Sequence, residues 1–325
     1  MQNLFKDLDD FTFNCKVRNL SDKTIRSYEQ TLTLFILYLE REKGITKTKD
    51  VTQKHIVEYM DYLKIRGKYT VVSDNFSSMI NNPEARNDYN KKVSDTTINN
   101  YIRNIKVFFN WAFGEKLIKK DIVNDIKLKK VDRKPKEFIE DNEFKRLLNS
   151  IDISKFPEFR DYAVINLLLD TGMRIGETLA LTEDDFDFKH NTINLRANIT
   201  KGKSYRQVYY SNNMAQILKR WLNFRDKFIN SEYFFCTLRG TQLDIRNFEK
   251  NLTKYGKRIE IDITPHQLRN NFAKRFLMNG GNIYSLSKIL GHSSVEVTEQ
   301  AYLDLTDADI RKTYLHFSPL ANMKR

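Results

Sequence analysis

The sequence predicts a mainly α-helical protein with a small antiparallel β-sheet in its C-terminal domain. Apolar residues recur at helical spacing through most of the chain, often behind a Ser, Thr or Asp that can cap a helix. Residues 186–210 alternate instead and are rich in Thr, Val and Tyr, which favours two or three antiparallel strands. A length of 325 residues suits two domains, each with its own core.

The first domain is predicted to be a bundle of helices. One helix begins at Ser21, a second covers residues 52–64, and a third begins at Ser94. The first and third begin with the same pattern, S-D-x-T-I-x-x-Y, which indicates two equivalent helices in one bundle. A repeat solenoid is the alternative, but it needs at least three copies and the chain has two.

Two polar stretches interrupt the helical pattern. Residues 66–93 are rich in Asn and are predicted to form a long surface loop. Residues 127–136, with the sequence KLKKVDRKPK, indicate a basic, flexible connector. We therefore divide the chain into a helical domain at residues 1–126, a basic linker at 127–137 and a second domain at 138–325.

The second domain is predicted to combine helices with the alternating stretch. Its helices are predicted at residues 142–149, 162–169, 214–228 and 306–317. Gly202-Lys203-Ser204 resembles the end of a nucleotide-binding P-loop, yet position 197 is Ala197 rather than Gly, and predicted strands flank the segment on both sides. We therefore exclude nucleotide binding at this turn.

Three further helices are predicted within residues 264–302. The first begins with a capping box at Thr264 and runs to Met278. The second covers residues 283–290 and stops at a glycine. A second capping box opens the third helix, which carries Tyr302.

Composition and charge narrow the class of protein. Lys and Arg number 55 against 42 Asp and Glu, and the net charge of +13 points to a polyanionic partner. Two cysteines supply neither a disulfide framework nor a zinc set, which suits a reducing compartment. The N-terminus does not resemble a signal peptide, and no apolar run approaches the ~20 residues of a membrane span. We expect a soluble, cytoplasmic protein with no membrane partner.

Four side chains near the C-terminus suit phosphate chemistry. His266 and Arg269 lie on the first turn of a predicted helix, where free N–H groups and the helix dipole favour an anion. His292 follows a helix stop, and Tyr302 comes one short helix later. A basic helix with two buried histidines and a packing tyrosine is the structural alternative, because any one of these residues alone is more often structural.

The order of these residues resembles the catalytic C-terminus of the tyrosine recombinases, the phage-integrase family. The motifs are His266-Gln267-Leu268-Arg269, then Leu290-Gly291-His292, then Tyr302. Upstream, residues 171–177, with the sequence TGMRIGE, match the family's T-G-x-R-x-x-E and place Arg174 and Glu177. The resemblance covers essentially the whole chain and is sharpest after about residue 136.

The chain departs from the family pattern at two places. Asn270 follows Arg269, where the family often has a second histidine. Tyr302 also lies about one residue further from His292 than is common in the family. Neither departure removes a catalytic group.

The resemblance implies a role for each matched residue. Tyr302 would attack the phosphodiester and leave a 3′-phosphotyrosyl bond and a free 5′-hydroxyl, while Arg174 and Arg269 clamp the non-bridging oxygens. His292 would add a hydrogen bond, and His266 would assist deprotonation of the tyrosine or hold the phosphate.

Two further residues have implied supporting roles. Lys201, at the turn between predicted strands, matches the family's general acid, with Lys203 as the alternative. Glu177 would orient an arginine or histidine, whereas an ordinary helix-surface glutamate is the alternative. The covalent intermediate conserves bond energy, so no ATP is needed, and fixed cations replace a metal. We expect neither a cofactor nor a metal.

The resemblance implies a SAM-like core-binding bundle followed by an α+β catalytic domain, joined by the basic linker. It implies a site-specific recombinase or integrase of a mobile element. Four subunits would bind two DNA duplexes at inverted-repeat sites and exchange strands through a Holliday junction. The C-terminal segment of each subunit would dock onto a neighbouring subunit. Accessory DNA-bending factors would be further partners. A type IB topoisomerase and a catalytically silent DNA-binding regulator are the alternatives.

Overall fold

The computed structural model describes residues 3–72, 79, 82–131, 138–200, 202, 204–292, 294–296, 298–299, 311 and 314. The chain divides into two compact units, residues 1–133 and 134–325. The described residues are mainly helical, and the second unit contains a three-stranded antiparallel sheet. The predicted fold class is therefore confirmed.

Helices surround the core of the first unit. Their bounds are α1 (Leu4–Val17), α2 (Asp22–Lys43), α3 (Gln53–Ile65) and α4 (Asp95–Gly114). Helices α2 and α4 begin alike, as the repeated pattern predicted. Ser21 and Ser94 each accept a hydrogen bond from a threonine amide three residues later, at 3.3 Å. The rings of Phe35 and Phe109 meet edge to face in the core between these helices, which makes them parts of one bundle.

Helix α1 is absent from the sequence predictions. Its buried residues Leu4, Leu8, Phe11 and Cys15 follow a helical spacing of four, three and four. The many acidic residues of this segment obscured that spacing. The helix completes the bundle, because Phe11 packs against Phe108 with 5.5 Å between ring centroids.

The last described part of the predicted connector is tied to α4. Asn99 donates from its side chain to the Lys129 carbonyl and accepts from the Lys129 amide, both at 2.9 Å. Asp95 forms an ion pair with the Lys129 ammonium at 3.0 Å. Residue 129 is therefore held in place rather than flexible. Residues 132–137 lie outside the described residues.

The described helices of the second unit differ in part from the predicted ones. Their bounds are α5 (Asp141–Asn149), α6 (Phe156–Thr171), α7 (Ile175–Leu179), α8 (Asn212–Arg225), α9 (Ile245–Lys257), α10 (Pro265–Met278) and α11 (Ile283–Leu290). Helix α6 is longer than the predicted 162–169, because Phe156 and Phe159 extend its buried face onto Trp221. Helix α9 was not predicted, since its buried residues are spaced among many charged ones.

The sheet comprises β1 (Phe186–Asp187), β2 (Thr192–Leu195) and β3 (Arg206–Tyr209), in that spatial order. Ile193 of β2 pairs with Val208 of β3, and both side chains are buried. The predicted turn follows β2, and its ends are joined because the Thr200 hydroxyl accepts from the Ser204 amide at 3.1 Å. Residues 201 and 203 lie outside the described residues, so Lys201 and Lys203 stay predictions.

Helices α10 and α11 have the bounds that the sequence predicted. The Thr264 hydroxyl caps α10 at 3.2 Å from the Gln267 amide, and Gly291 ends α11 with a left-handed backbone. Of the third predicted helix, residues 296, 298 and 299 are helical; residues 300–310 lie outside the described residues, as does all of residues 306–317 except 311 and 314. Among the described helices, none combines the length and apolar character that crossing a membrane requires.

Candidate active site

The turn between α6 and α7 positions Arg174. Gly172 ends α6 with a φ of +64°, a conformation that favours glycine. Arg174 then stands at the N-cap of α7, and its amide donates to Glu177 Oε2 at 3.0 Å. The guanidinium donates from Nη1 to Glu177 Oε1, also at 3.0 Å. Arg174 therefore lies in the turn between the two helices.

Arg269 reaches the same region from α10. Its side chain is buried and donates from Nη1 to the Gly172 carbonyl at 2.6 Å. From Nη2 it donates to the Leu290 carbonyl at 2.8 Å. The guanidinium therefore joins the end of α6 to the end of α11.

The C-terminal end of α11 attracts several arginines. The last carbonyls of a helix have no partner within the helix and carry its negative dipole end. Arg174 lies within 3.5 Å of the Leu290 and Gly291 carbonyl oxygens, and Arg269 also binds the Leu290 carbonyl. Side chains that are 95 residues apart in the sequence are thus brought together at one carbonyl.

Arg206 also lies at this site, and sequence reasoning missed it. From β3 its Nε donates to the Ile289 carbonyl at 3.2 Å, and its two terminal nitrogens bind Glu177 at 3.0 and 2.6 Å. Its position four residues after the glycine of the predicted turn was the available signal. In sequence, however, it is indistinguishable from any other strand arginine.

Glu177 is buried between Arg174 and Arg206. Its side chain is only 2 % exposed. Burial by itself raises the pKa of the Glu177 carboxyl, but the hydrogen bonds and charge of Arg206, followed by those of Arg174, outweigh burial and lower the pKa below its ordinary value. Glu177 is therefore an ionised carboxylate that orients arginines, and the interpretation of an ordinary surface glutamate is wrong.

His292 lies directly after Gly291 and faces Arg269. Its Nε2 is 2.9 Å from Arg269 Nη2, and its Nδ1 is 2.8 Å from the hydroxyl of Thr298. An arginine can only donate, so Nε2 must accept and the proton lies on Nδ1, which donates to Thr298. Burial, followed by the charges of Arg269, Arg174 and Arg206, lowers the pKa of His292 to about 4. His292 is therefore neutral at pH 7.

Arg269 is a buried cation with a lowered pKa. Burial, followed by the positive charge of Arg174, lowers the pKa of Arg269 to about 9. The guanidinium remains protonated at pH 7, but it is desolvated and lies beside other cations. Such a cluster is stabilised by an anion, and planar guanidinium donors match the oxygens of a phosphate.

His266 lies on the first turn of α10 and is exposed. Its neighbour three residues later on the helix, Arg269, is buried in the cluster. Tyr302 lies outside the described residues. Its role, like that of Lys201, stays a prediction.

The arrangement can bind a phosphate through two guanidiniums and an imidazole. Within the described part of the chain, no group of three or more His, Cys, Asp or Glu side chains could hold a metal ion. The positive charge at the described site comes from Arg174, Arg206 and Arg269, with Glu177 as the counter-charge.

Comparison with known proteins identifies a family on each unit. The model of the phage integrase family matches residues 137–309. The model of the phage integrase SAM-like domain matches residues 4–131. Together these matches extend over both units, and the first includes every predicted site residue.

Several curated proteins and solved structures are similar along most of the chain. Tyrosine recombinase XerD of Halalkalibacterium halodurans is 27% identical over 328 residues, covering 99% of this chain and 100% of that protein. Tyrosine recombinase XerC of Bacillus subtilis is 28% identical over 301 residues, covering 90% and 97%. The Tn1549 transposon integrase in complex with circular intermediate DNA has a TM-score of 0.70 at 21% identity, covering 96% of this chain and 99% of that one.

Proposed function

The chain belongs to the phage integrase family, and on that premise we propose that it is a tyrosine-type site-specific DNA recombinase. One observation supports this proposal most strongly. Arg174 and Arg269 come from separate segments of the second unit and meet at the Leu290 carbonyl, and the imidazole of His292 lies 2.9 Å from Arg269 Nη2. The curated relatives of similar length are named as tyrosine recombinases.

The cluster suits the charge that develops when a phosphodiester is attacked. The two guanidiniums hold positive charge in a partly desolvated site, where it stabilises a pentacoordinate phosphorane more than it would in water. A phosphate oxygen that accepts a hydrogen bond from Arg269 Nη2 would lie beside Nε2 of His292, which is 2.9 Å from Nη2. His292 then contributes a further hydrogen bond if its proton moves to Nε2.

We assign the chemical steps to Tyr302, a lysine of the turn after β2, and His266; of these residues the structure describes His266. Tyr302 attacks the scissile phosphorus and forms a 3′-phosphotyrosyl bond, and the bond to the 5′-oxygen breaks. Lys201, or Lys203 next to it, supplies the proton that the leaving 5′-oxygen takes up. His266 assists deprotonation of Tyr302 or holds the phosphate. The reverse reaction with a 5′-hydroxyl of a second strand rejoins the DNA without ATP.

The proposed substrate is double-stranded DNA with an inverted-repeat site. The net charge of +13 supports binding to a polyanion, and the similar Tn1549 integrase structure is named as a complex with circular intermediate DNA. We further propose that four subunits assemble on two duplexes through their C-terminal segments and exchange strands through a Holliday junction. The reaction takes place in the cytoplasm, with accessory DNA-bending factors as partners. Integration and excision of a mobile element is the proposed role, because a transposon integrase is among the similar structures.

Trapping of the covalent intermediate tests this function. The target duplex is obtained by binding selection from a pool of randomised DNA, and a nick beside the cleavage position then lets the released fragment diffuse away. The wild-type protein should accumulate as a covalent protein–DNA adduct on a denaturing gel, also in the presence of a chelator. Tyr302→Phe should bind the duplex with nearly unchanged affinity and form no adduct.

The same experiment identifies the nucleophile if the assignment is wrong. An adduct that persists in Tyr302→Phe would exclude Tyr302, and Tyr314, with a side chain 63% exposed, would be the next residue to substitute. Specific binding without an adduct in the wild type would instead favour a DNA-binding regulator. A strict requirement for magnesium in adduct formation would contradict the proposed cationic mechanism.

A further inference from the structure

We propose that Arg206 is a positioning residue for Arg174 and His292, an inference that rests on the proposed recombinase function. Arg206 lies on β3, five residues after Lys201 in the sequence. It contacts both the carboxylate that orients Arg174 and the helix end that precedes His292.

The first contact decides how the charge of Glu177 is shared. Glu177 Oε1 accepts from Nη1 of both arginines at 3.0 Å, whereas Oε2 accepts from Arg206 Nη2 at 2.6 Å. Arg206 thus binds the carboxylate with both terminal nitrogens, and Arg174 binds it with one. The Arg206 side chain is 11 % exposed and that of Arg174 is 29 % exposed, so Arg174 is the one that reaches towards solvent.

This division leaves most of the Arg174 guanidinium available to a phosphate. If Arg206 were replaced by a neutral residue, Arg174 would be the remaining cation in contact with Glu177 among the described residues. A buried carboxylate with one cationic partner binds that partner more strongly. Arg174 would then be drawn towards Glu177 and away from the position that a phosphate oxygen occupies.

The second contact holds the end of α11. Arg206 Nε donates to the Ile289 carbonyl at 3.2 Å. The side chain also packs against Gly291, where an added Cβ would lie 2.9 Å from Arg206 Cδ and Nε. Gly291 therefore serves two purposes, since its φ is +62° and its lack of a side chain makes room for Arg206. Because His292 follows directly, Arg206 supports the backbone that places its imidazole.

A substrate without charge on the scissile phosphate distinguishes positioning from a merely structural role. Replacing one non-bridging oxygen by a methyl group gives a neutral methylphosphonate, which needs little stabilisation by Arg174. For Arg206→Gln we expect the rate of adduct formation on the normal nicked duplex to fall by about 100-fold, as for a displaced catalytic group. On the methylphosphonate duplex we expect a fall of less than about tenfold relative to wild type, because the lost interaction is electrostatic.

For each variant, the rates on the normal and the methylphosphonate duplex are measured with the same protein preparation. An inactive fraction of that preparation lowers both rates equally and leaves their ratio unchanged. Arg174→Ala should show the same selective defect, because the two residues act on the same charge. Arg206→Lys keeps the charge but loses the two-pronged contact with Glu177, and should fall between wild type and Arg206→Gln. Arg196→Gln is the matched control, since Arg196 also binds a buried carboxylate, Asp185, at 2.9 Å, and it should cleave both duplexes at the wild-type rate.

Two results would overturn the proposal. An equal loss by Arg206→Gln on the two duplexes would make Arg206 a structural residue, and an unchanged rate on the normal duplex would show that Arg174 needs no such support. Failure of the wild-type protein to form any adduct would instead contradict the proposed function itself. Thermal unfolding and DNA affinity of every variant identify those that do not fold.

Discussion

Arg269 donates a hydrogen bond from Nη2 to Nε2 of His292 across 2.9 Å. The bond fixes the proton of His292 on Nδ1, where the Thr298 hydroxyl accepts it at 2.8 Å. A hydroxyl can also donate. When a phosphate oxygen competes for Arg269, Thr298 can turn and donate to Nδ1, and Nε2 then carries the proton towards the phosphate. Thr298 therefore allows both tautomers of His292.

Substitution of Thr298 tests this exchange. Thr298→Val keeps the shape of a buried side chain but removes the hydroxyl, so His292 loses its partner on Nδ1. We expect the rate of adduct formation to fall by about fivefold, with DNA affinity unchanged, because a hydrogen bond to a neutral group contributes about 1 kcal/mol. Thr298→Ser keeps the hydroxyl and should retain most of the rate. Equal rates for the valine and serine variants would exclude a role for the hydroxyl.

The low pKa of His292 predicts how its protonation affects stability. Burial and the neighbouring charges of Arg269, Arg174 and Arg206 lower the pKa to about 4 in the folded protein, while an unfolded histidine titrates near ~6.5. Between these values the unfolded state binds the extra proton, so His292 destabilises the fold progressively as the pH falls from about 6.5 to 4. Above this window His292 is neutral in both states and contributes no pH dependence.

His292→Gln isolates this contribution. Glutamine can still accept from Arg269 but does not titrate, so the variant should lose less free energy of unfolding than wild type between pH 6.5 and 4. Urea denaturation at several pH values measures the free energy of unfolding of both proteins. The contributions of all other titratable groups cancel in the difference, because both proteins share them. Parallel pH profiles for the two proteins would show that His292 keeps an ordinary pKa in the fold.

The bounds of α10 and α11 could be predicted to the residue, and the reason is local. Helix α10 begins where Thr264 caps it and α11 ends where Gly291 adopts a left-handed backbone. Both signals depend on residues within one turn of the helix end. The same is true of Arg174, whose position follows from Gly172 and the short helix after it.

The partners of these residues could not be predicted, because they depend on tertiary contacts. Arg206 and Glu177 are 29 positions apart, and no spacing rule connects a strand arginine with a helix glutamate. Thr298 is likewise an ordinary polar residue in sequence, and its burial against His292 appears only in the fold. The resemblance to a family supplied the roles of Arg174, Arg269 and His292, and the fold supplies what holds them.

Gly172 is predicted to be intolerant of any side chain. Its φ of +64° is strained for alanine, and an added Cβ would collide with the ring of Phe272 and lie 2.9 Å from Leu290 Cδ2. Gly240 is the matched control, because its φ is +76° but its nearest contact would be an ordinary 3.5 Å from the Asn230 carbonyl oxygen. The comparison separates backbone strain from steric collision.

Gly240→Ala should lower the free energy of unfolding by about 1–2 kcal/mol through backbone strain alone. Gly172→Ala should lower it by a further ~1–3 kcal/mol through overpacking. Because the Gly172 carbonyl accepts from Arg269, the Gly172 variant should also form adduct more slowly, whereas the Gly240 variant should not. Urea denaturation and the nicked duplex measure the two effects. Equal destabilisation of both variants would show that α10 shifts to make room.

The assignment of Lys201 as general acid can be tested through the leaving group. The described ends of its turn are joined, because the Thr200 hydroxyl accepts a hydrogen bond from the Ser204 amide at 3.1 Å. A 5′-alkoxide leaves very poorly without a proton, whereas a thiol ionises near pKa ~8.5 and leaves without one. A bridging 5′-sulfur at the cleavage position therefore removes the need for an acid.

Lys201→Ala should cleave the normal duplex about 10²–10⁴-fold more slowly than wild type, the usual loss for a general acid. It should cleave the 5′-thio duplex almost as fast as wild type does. Lys203→Ala is the matched control, since it removes the same charge two residues away and should show no such selective rescue. Rescue of Lys203→Ala alone would transfer the role to Lys203. An equal defect of Lys201→Ala on both duplexes would instead mean that its ammonium stabilises the charge of the phosphorane, the role that we propose for the guanidiniums of Arg174 and Arg269. The proton would then come from another group.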